Sequence, residues 1–405
     1  MPWNTITPMN QRFLFVTSML KAGASKASIC RQFGISRKTG YKWLTRFMAH
    51  GADGLQERSH APIQHGHATD TAIRKRVIAV RKKYVRWGPC KVKSFLERNH
   101  PQTQWPAAST IGGIFTRAGL TAHRPHRRRT EDPPVALAGL TEAQHPNDVW
   151  TVDYKGWFRT GDGRRCDPLT IQDRFSRFLI LLRITKNMQS PCVQQAFADA
   201  FREFGMPLII RSDNGSPFAS MGLGGLTRLS VWLIKLGMHH ERIRPASPQE
   251  NGRHERFHRT MKEEVASPPG PTIAAQVRRH LKLRQEYNHE RPNAALGQRT
   301  PASVYRPSPR VYTGRADHPE YPSHWLVRSV RGNGDIKWKG TTIFLAESLI
   351  GEPVGLDQVS DHEWFVYFGA LPLARLTSEG IITPFRAVRE KPNYGSSKNN
   401  DTDKQ

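Results

Sequence analysis

Cysteine is scarce in this 405-residue chain: Cys30, Cys90, Cys166 and Cys192 are scattered, with no C-x-x-C pair. That spacing offers neither a disulfide framework nor a structural zinc site. Long hydrophobic runs are missing as well, and a stretch such as FLILL (178–182) is far too short to span a bilayer. The first residues, MPWNTITPMNQRF, lack a basic segment followed by an apolar one, so no secretory signal is expected and the chain reads as soluble and intracellular. Negative charge is the other shortage. Against 61 Lys+Arg stand only 34 Asp+Glu, a formal net charge of +27 and a sequence pI near 10.5. A surplus of this sign selects a polyphosphate as the default partner, although a ribosomal or membrane-surface protein would share it.

The length calls for two or more domains, each with its own core. Residues 8–58 read as a helix-turn-helix. Phe13, Val16 and Leu20 line a first helix that stops near Gly23, Ser25 to Phe33 makes a second, and FGIS (33–36) turns the chain. Ser36 then caps a third helix carrying Tyr41, Leu44 and Met48 inward. Its basic start, Arg37, Lys38 and Lys42, supplies the candidate DNA contacts; any small three-helix bundle would give the same apolar spacing. Residues 68–122 form a second such unit, in which Ile73, Val77, Val80 and Tyr84 repeat at helical spacing and Ser109 caps a later helix ending at Gly119. Residues 123–147 are a basic linker whose Arg127, Arg128 and Arg129 are either solvated or tracking phosphate.

From 148 to 305 the period becomes strand-like and then mixed. VWTVDYKGWF, DPLTIQD and RFLILLRIT supply three strands of an antiparallel meander. A helix with Val193, Phe197, Phe201 and Phe204 on one face follows, and LIIRSDNG is a short buried strand running into Asp213. Strand, helix, strand implies a right-handed crossover and a parallel pair. Leu226, Leu229, Leu233 and Leu236 make another helix. Residues 306–322 read as a linker. Short strands with Gly-Asn-Gly-Asp and Ser-Asp turns predict a small β-barrel over 323–385, its role open between DNA binding and a structural or subunit contact. Residues 386–405 are a polar tail expected to be disordered.

Three carboxylates stand out by position. Asp153 lies near the end of the first strand, and Asp213, 60 residues later, lies just past a strand. Glu255, a further 42 residues on, lies on a helix that Ser247, Pro248 and Glu250 are placed to start as N-cap, first position and capping-box partner. Glu255, Arg259 and Lys262 share one face of that helix. Each acid has a plainer reading: Asp153 beside Lys155 or Arg174, Asp213 in an Asp-Asn-Gly turn, Glu255 in a solvated salt-bridge stripe. Glu250 is explained by capping, which leaves Glu255 for chemistry. Converging carboxylates invite a hard divalent cation; two Mg²⁺ ions, roughly 3.5–4 Å apart in such sites, serve phosphodiester chemistry. Arg259 and Lys262 would then hold the polyanion.

These residues carry a family resemblance. W-x-x-D-Y (Trp150, Asp153, Tyr154), S-D-N-G-x-x-F (Ser212 to Phe218) and P-Q-E-N-G-x-x-E-R-F-H-R-T-x-K-E-E (Pro248 to Glu264) resemble the integrase-type core of bacterial insertion-sequence transposases. Tyr287-Asn288, Arg291-Pro292, Ala295-Leu296 and Thr300-Pro301 are similar to the end of that core. The resemblance implies a multidomain fold: all-α helix-turn-helix units, then an α/β RNase H-like mixed sheet with flanking helices. It implies a DDE triad at Asp153, Asp213 and Glu255, binding Mg²⁺ (or Mn²⁺), that cleaves DNA with water and joins the freed 3′-OH to target DNA. It also implies a dimer or tetramer on double-stranded DNA, and a bacterial, cytoplasmic, nucleoid-associated location. Two departures stand out. The Asp213–Glu255 spacing is stretched by the Gly-rich FASMGLGGLTRL (218–229), expected to lengthen a loop beside the site, and Asn293 replaces the usual His. The alternative is a catalytically silent DNA-binding protein, a domesticated transposase or repressor.

Overall fold

The computed structural model describes residues 7–21, 23, 25–57, 69–121, 139–244, 250 and 252–385. It divides into two compact units, Met1–Asp70 and Thr71–Gln405.

In the first unit, helices α1 (Pro8–Met19), α2 (Lys26–Gln32) and α3 (Arg37–His50) precede a 3₁₀ turn at Gly51–Leu55. Ser36 caps α3 as expected, its hydroxyl accepting from the Thr39 N–H at 3.2 Å. The core consists of Phe15, Val16, Met19, Ile29, Cys30, Trp43 and Leu55. The inward faces differ from the expected ones: Phe13, Leu20, Tyr41 and Met48 are exposed, and Leu44 is only partly buried. Trp43 and Gly40 set the rotation of α3. A Cβ on Gly40 would stand 2.7 Å from Cys30 Sγ and 2.9 Å from Phe15 Cζ, so the bare backbone is what admits those side chains.

The second unit begins with α4 (Thr71–Lys83), α5 (Pro89–Asn99) and α6 (Ala108–Arg117), packed around Val77, Trp87, Leu96, Ile111 and Phe115. Ser109 is not the cap of α6: the helix follows Ala107, and Ser109 already lies in its first turn. These helices dock on the rest of the unit through Arg86–Glu263 (2.9 Å) and Arg98 donating to the Glu290 carbonyl (2.6 Å).

A mixed sheet follows. Strands β1 (Val149–Tyr154), β2 (Phe158–Arg159), β3 (Arg165–Asp173) and β4 (Leu179–Thr185) form the expected antiparallel meander, with β3 between β1 and β4. Helix α7 (Ser190–Phe204) then carries the chain to β5 (Ile209–Ser212), which pairs parallel to β1. Helix α8 (Arg228–Lys235) leads to β6 (His239–Arg242), parallel to β5. One face of this RNase H-like sheet buries Trp150, Val152, Leu169, Ile171 and Ile210 against Val193, Phe197 and Phe201 of α7 and Leu229 and Leu233 of α8. The opposite face is covered by α9 (Gly252–Met261) and α10 (Ile273–Gln285), where Phe257, Met261 and Leu283 meet Leu179 and Leu182. The helix α11 (Pro301–Val304) closes this core.

Residues 306–322 are not a loose linker. They form a strap in which the Ser308 N–H donates to Phe204 O at 2.8 Å, the Met206 N–H donates to Arg310 O at 2.8 Å, and Tyr312 packs on Phe201. The C-terminal strands are β7 (Leu326–Ser329), β8 (Asp335–Trp338), β9 (Thr341–Phe344), β10 (Pro353–Ser360), β11 (Glu363–Phe368), β12 (Leu371–Thr377) and β13 (Ile382–Pro384). They do not close into the expected barrel. Five strands form an open sheet in the order β13-β12-β11-β10-β7, and β8–β9 is a separate hairpin. The hairpin buries Ile336, Trp338 and Ile343 against the sheet, covering its apolar face without ring closure. The polar tail, 386–405, lies outside the described residues.

The Gly-rich insert lies in the long connection between β5 and α8 that starts at Asp213, and its far end docks on the C-terminal strands. Leu223 and Leu226, with Val231 and Ile234 of α8, join the cluster of Leu356, Phe368 and Leu373. At Gly225 the left-handed backbone (φ +66°) is what favours glycine, and the Arg242 guanidinium lies over this turn, donating to the Gly224 carbonyl at 2.9 Å.

Candidate functional site

Alternation along β1 places Thr151 and Asp153 on the sheet face opposite Trp150 and Val152. Asp153 pairs with Thr170 of β3, and Thr151 with Gln172, so the face beneath α9 is a row of polar side chains. Helix α9 satisfies that row with two histidines one turn apart. The Thr170 hydroxyl donates to the Asp153 carbonyl at 2.9 Å and lies 2.5 Å from His254 Nε2 and 2.8 Å from His258 Nε2. With its proton committed, Thr170 accepts from both rings through Nε2. His254 Nδ1 lies 2.9 Å from the Thr151 hydroxyl, which also reaches the Gln172 carbonyl at 3.2 Å. Burial holds both imidazoles neutral, His258 at about 3 and His254 well below its ordinary value. Neither histidine stood out as functional in the sequence. Their i, i+4 spacing beside Phe257 and Met261 was the available signal.

Asp153 stands at the end of this row, with Oδ2 3.7 Å from His258 Nδ1. Its carboxyl is pushed up to about 7, first by burial and then by repulsion from Asp213 and, more weakly, Glu255. Lys155 opposes the shift but does not cancel it, and Arg174 pairs with Glu142 instead, at 3.2 Å. The charge that dominates at Asp153 is therefore that of other carboxylates.

Asp213 is half-buried just beyond β5, where its Oδ1 accepts from the Gly215 N–H at 3.1 Å. The turn reading therefore holds at Oδ1, and a turn of this kind is compatible with a further role for the other oxygen. Below it, Arg211 is buried and donates twice to Glu241 Oε2, at 2.9 and 2.6 Å, and to Thr141 O at 2.5 Å. This clamp ties β5 to β6 and fixes the strand end from which Asp213 projects.

Glu255 is exposed in the first turn of α9. Ser247 and Pro248, expected to start this helix, lie outside the described residues. Glu250 is described and fully buried, its carboxylate accepting from the Arg244 N–H at 2.7 Å and from Arg244 Nε at 2.5 Å. It is bonded to Arg244 and lies in a 3₁₀ turn two residues before the described span of α9.

Among the described residues no three His, Cys, Asp or Glu side chains stand together as a ready-made metal cage. The donor chemistry nevertheless suits a hard cation: carboxylate oxygens offered from three separate elements, with Asp213 and Glu255 both raising the cost of charge at Asp153. Arg259 is exposed on α9 and Lys262 is exposed in the π-helical turn (Lys262–Ala266) that follows it. Arg37, Lys38 and Lys42 are exposed at the start of α3, in the other compact unit. Arg127, Arg128 and Arg129 lie outside the described residues. Asn293, in place of the usual His, accepts from the Ala295 N–H at 3.0 Å and caps a 3₁₀ turn.

Comparison with known proteins accords with this geometry. Residues 143–248 and 236–301 each match an Integrase core domain model, and residues 11–56 and 39–115 each match a Homeodomain-like domain model. The chain is similar to the insertion element IS476 uncharacterized 39.2 kDa protein of Xanthomonas euvesicatoria, 23% identical over 299 residues covering 74% of this chain and 77% of that protein. It is similar to the insertion element IS407 uncharacterized 31.7 kDa protein of Burkholderia multivorans, 24% identical over 286 residues covering 70% and 91%. The transposase for insertion sequence element IS904 of Lactococcus lactis is 24% identical over 195 residues, covering 47% and 74%. Of solved structures, the HTLV-2 integrase catalytic core domain in complex with magnesium is 19% identical, covers 41% of this chain and 100% of that one, and has a TM-score of 0.33. The chain thus carries an Integrase core domain match over residues 143–301 with homeodomain-like segments ahead of it, and it is similar to proteins of bacterial insertion elements.

Proposed function

We propose that this chain is a DNA transposase that cuts element ends and joins them to target DNA. The supporting observation is the burial of Asp153 beside two further carboxylates, Asp213 and Glu255, whose charges add to desolvation in raising its carboxyl to about 7. In this reading Asp153, Asp213 and Glu255 hold two Mg²⁺ ions, with Mn²⁺ as a substitute. When bound, these would activate the attacking oxygen and stabilise the leaving 3′ oxygen. Cleavage adds water to a phosphorus and releases a 3′-OH. That hydroxyl then attacks a target phosphorus and displaces the target's 3′ oxygen, with no covalent enzyme intermediate.

The chain's own residues supply position. Thr170 and the two neutral histidines fix the backbone at Asp153 and the seating of α9, and the Arg211–Glu241 clamp fixes the strand before Asp213. Arg259 and Lys262 face the DNA backbone, and Arg37, Lys38 and Lys42 lead the end-recognition helix. Arg127, Arg128 and Arg129 would add phosphate contacts. The working form is a homo-oligomer, dimer or tetramer, that brings two element ends together.

A strand-cleavage and joining assay on the element's ends with Mg²⁺ tests this. Wild type should cut and join. Asp153→Asn, Asp213→Asn and Glu255→Gln should each abolish both steps while keeping DNA affinity. Wild type that binds DNA but never cuts it would favour the silent DNA-binding reading.

A further inference from the structure

Beyond the start of α9 the core gathers guanidinium groups with too few carboxylates. Arg174, Phe175 and Arg177 lie between β3 and β4, Arg253 is on the first turn of α9, and Arg299 precedes α11. With Glu142 they line an open cavity of about 580 Å³. Glu142 is the one carboxylate among its lining residues, and both of its oxygens are used, by Arg174 Nη2 at 3.2 Å and Arg253 Nη2 at 3.1 Å. Among the described residues, Arg177 and Arg299 donate to backbone carbonyls alone, of Arg174 and Leu296 respectively. The adjacent Asp173 is committed to the Asn147 N–H and to Ser176.

The strain of this arrangement shows in two places. The Arg174 side chain is 2% exposed, and its Nε has no hydrogen-bond partner among the described residues. Native proteins seldom bury such a donor without an acceptor. Burial together with Arg253 and Arg174 holds the Arg177 guanidinium down at about 10. A group of cations that repel one another, around an open groove, is a site built for an anion.

Its place along the sheet says which anion. Arg174 follows Asp173, the cross-strand partner of Trp150, three residues before Asp153 on β1. At about 3.3 Å per residue that is roughly 10 Å from the carboxylate site. This equals about three nucleotide steps at 3.4 Å each. The ring of Phe175, 36% exposed at the rim, offers a surface on which a base can stack. We infer that this groove holds the phosphodiester backbone of a DNA strand about three nucleotides from the reacting phosphate, through Arg174, Arg177, Arg253 and Arg299. The inference rests on the transposase reading only for DNA being the substrate.

The test uses the full-length protein without metal and a labelled duplex of about 20 base pairs of arbitrary sequence, titrated over a salt series. Arg253→Ala and Arg299→Ala should each weaken binding several-fold and flatten the log affinity against log salt slope by about 0.9, one phosphate contact apiece. Arg253→Lys, which keeps the charge, should restore the slope. Arg299→Gln gives the same reading if alanine disturbs the loop. Unchanged slopes in folded variants at both positions overturn the inference, and so does calorimetric binding of orthophosphate alone with DNA binding unaffected by the substitutions. Flattened slopes in a protein that never cleaves DNA would keep the groove and sink the transposase reading; unchanged slopes in an active protein would do the reverse.

Discussion

At the scale of single residues, charge placement decides the account. Asp153, with a carboxyl raised from 3.8 to about 7, contributes stability to the metal-free fold that is fully present below about pH 4 and is lost as pH rises through about 7. The wild-type melting temperature without metal should therefore fall over that range more than that of Asp153→Asn. Added Mg²⁺ should recover more stability at pH 8 than at pH 5. Equal pH slopes for the two proteins would remove the electrostatic basis of the site. Asp153 and Asp213 were legible in the sequence because strand patterns ended at them. The residues that set Asp153 were not: His254 and His258 bury themselves on a polar sheet face that exists only once β1 and β3 have paired.

At the scale of elements, two substitutions probe what positions the site. Glu241→Ala would strand a buried Arg211 without its counter-ion, a loss of about 3–5 kcal/mol. Phe201→Ala would empty the core between α7 and the sheet, also costing about 3–5 kcal/mol. Both should lower the urea midpoint with little change in slope; a change below 1 kcal/mol for Glu241→Ala would show that the clamp does not hold β5 and β6 together. The apolar face of α7 was readable because Val193, Phe197, Phe201 and Phe204 keep helical spacing. Faces on α1 and α3 were misjudged by periodicity because Gly40 and Trp43 decide the packing by size, a long-range matter. The expected cap at Ser247 and Pro248 lies outside the described residues, and what the sequence did not reveal there is the bond between Glu250 and Arg244, six residues apart.

At the scale of the molecule, the sequence suggested a chain of separable modules, and the structure joins several of them. Leu226 and Val231 belong to the C-terminal cluster, and Lys235 pairs with Glu352 at 2.8 Å with both side chains largely buried. Calorimetry should accordingly show the core and the C-terminal sheet unfolding in one transition, separate from that of the first compact unit. A third, independent transition for the C-terminal sheet would refute that packing. The barrel expectation failed because short strands with turn signals do not reveal whether the first and last strands pair.

The most direct measurement is Mn²⁺ binding, followed by electron paramagnetic resonance or calorimetry, on wild type and on Asp153→Asn, Asp213→Asn, Glu255→Gln and Glu250→Gln. If the three carboxylates form the metal site, the first three substitutions each weaken binding at least ten-fold, about 1.4 kcal/mol, and Glu250→Gln binds as wild type does. Wild-type affinity in Glu255→Gln together with lost affinity in Glu250→Gln would contradict the account, because it would place the third ligand on the residue that the structure commits to Arg244.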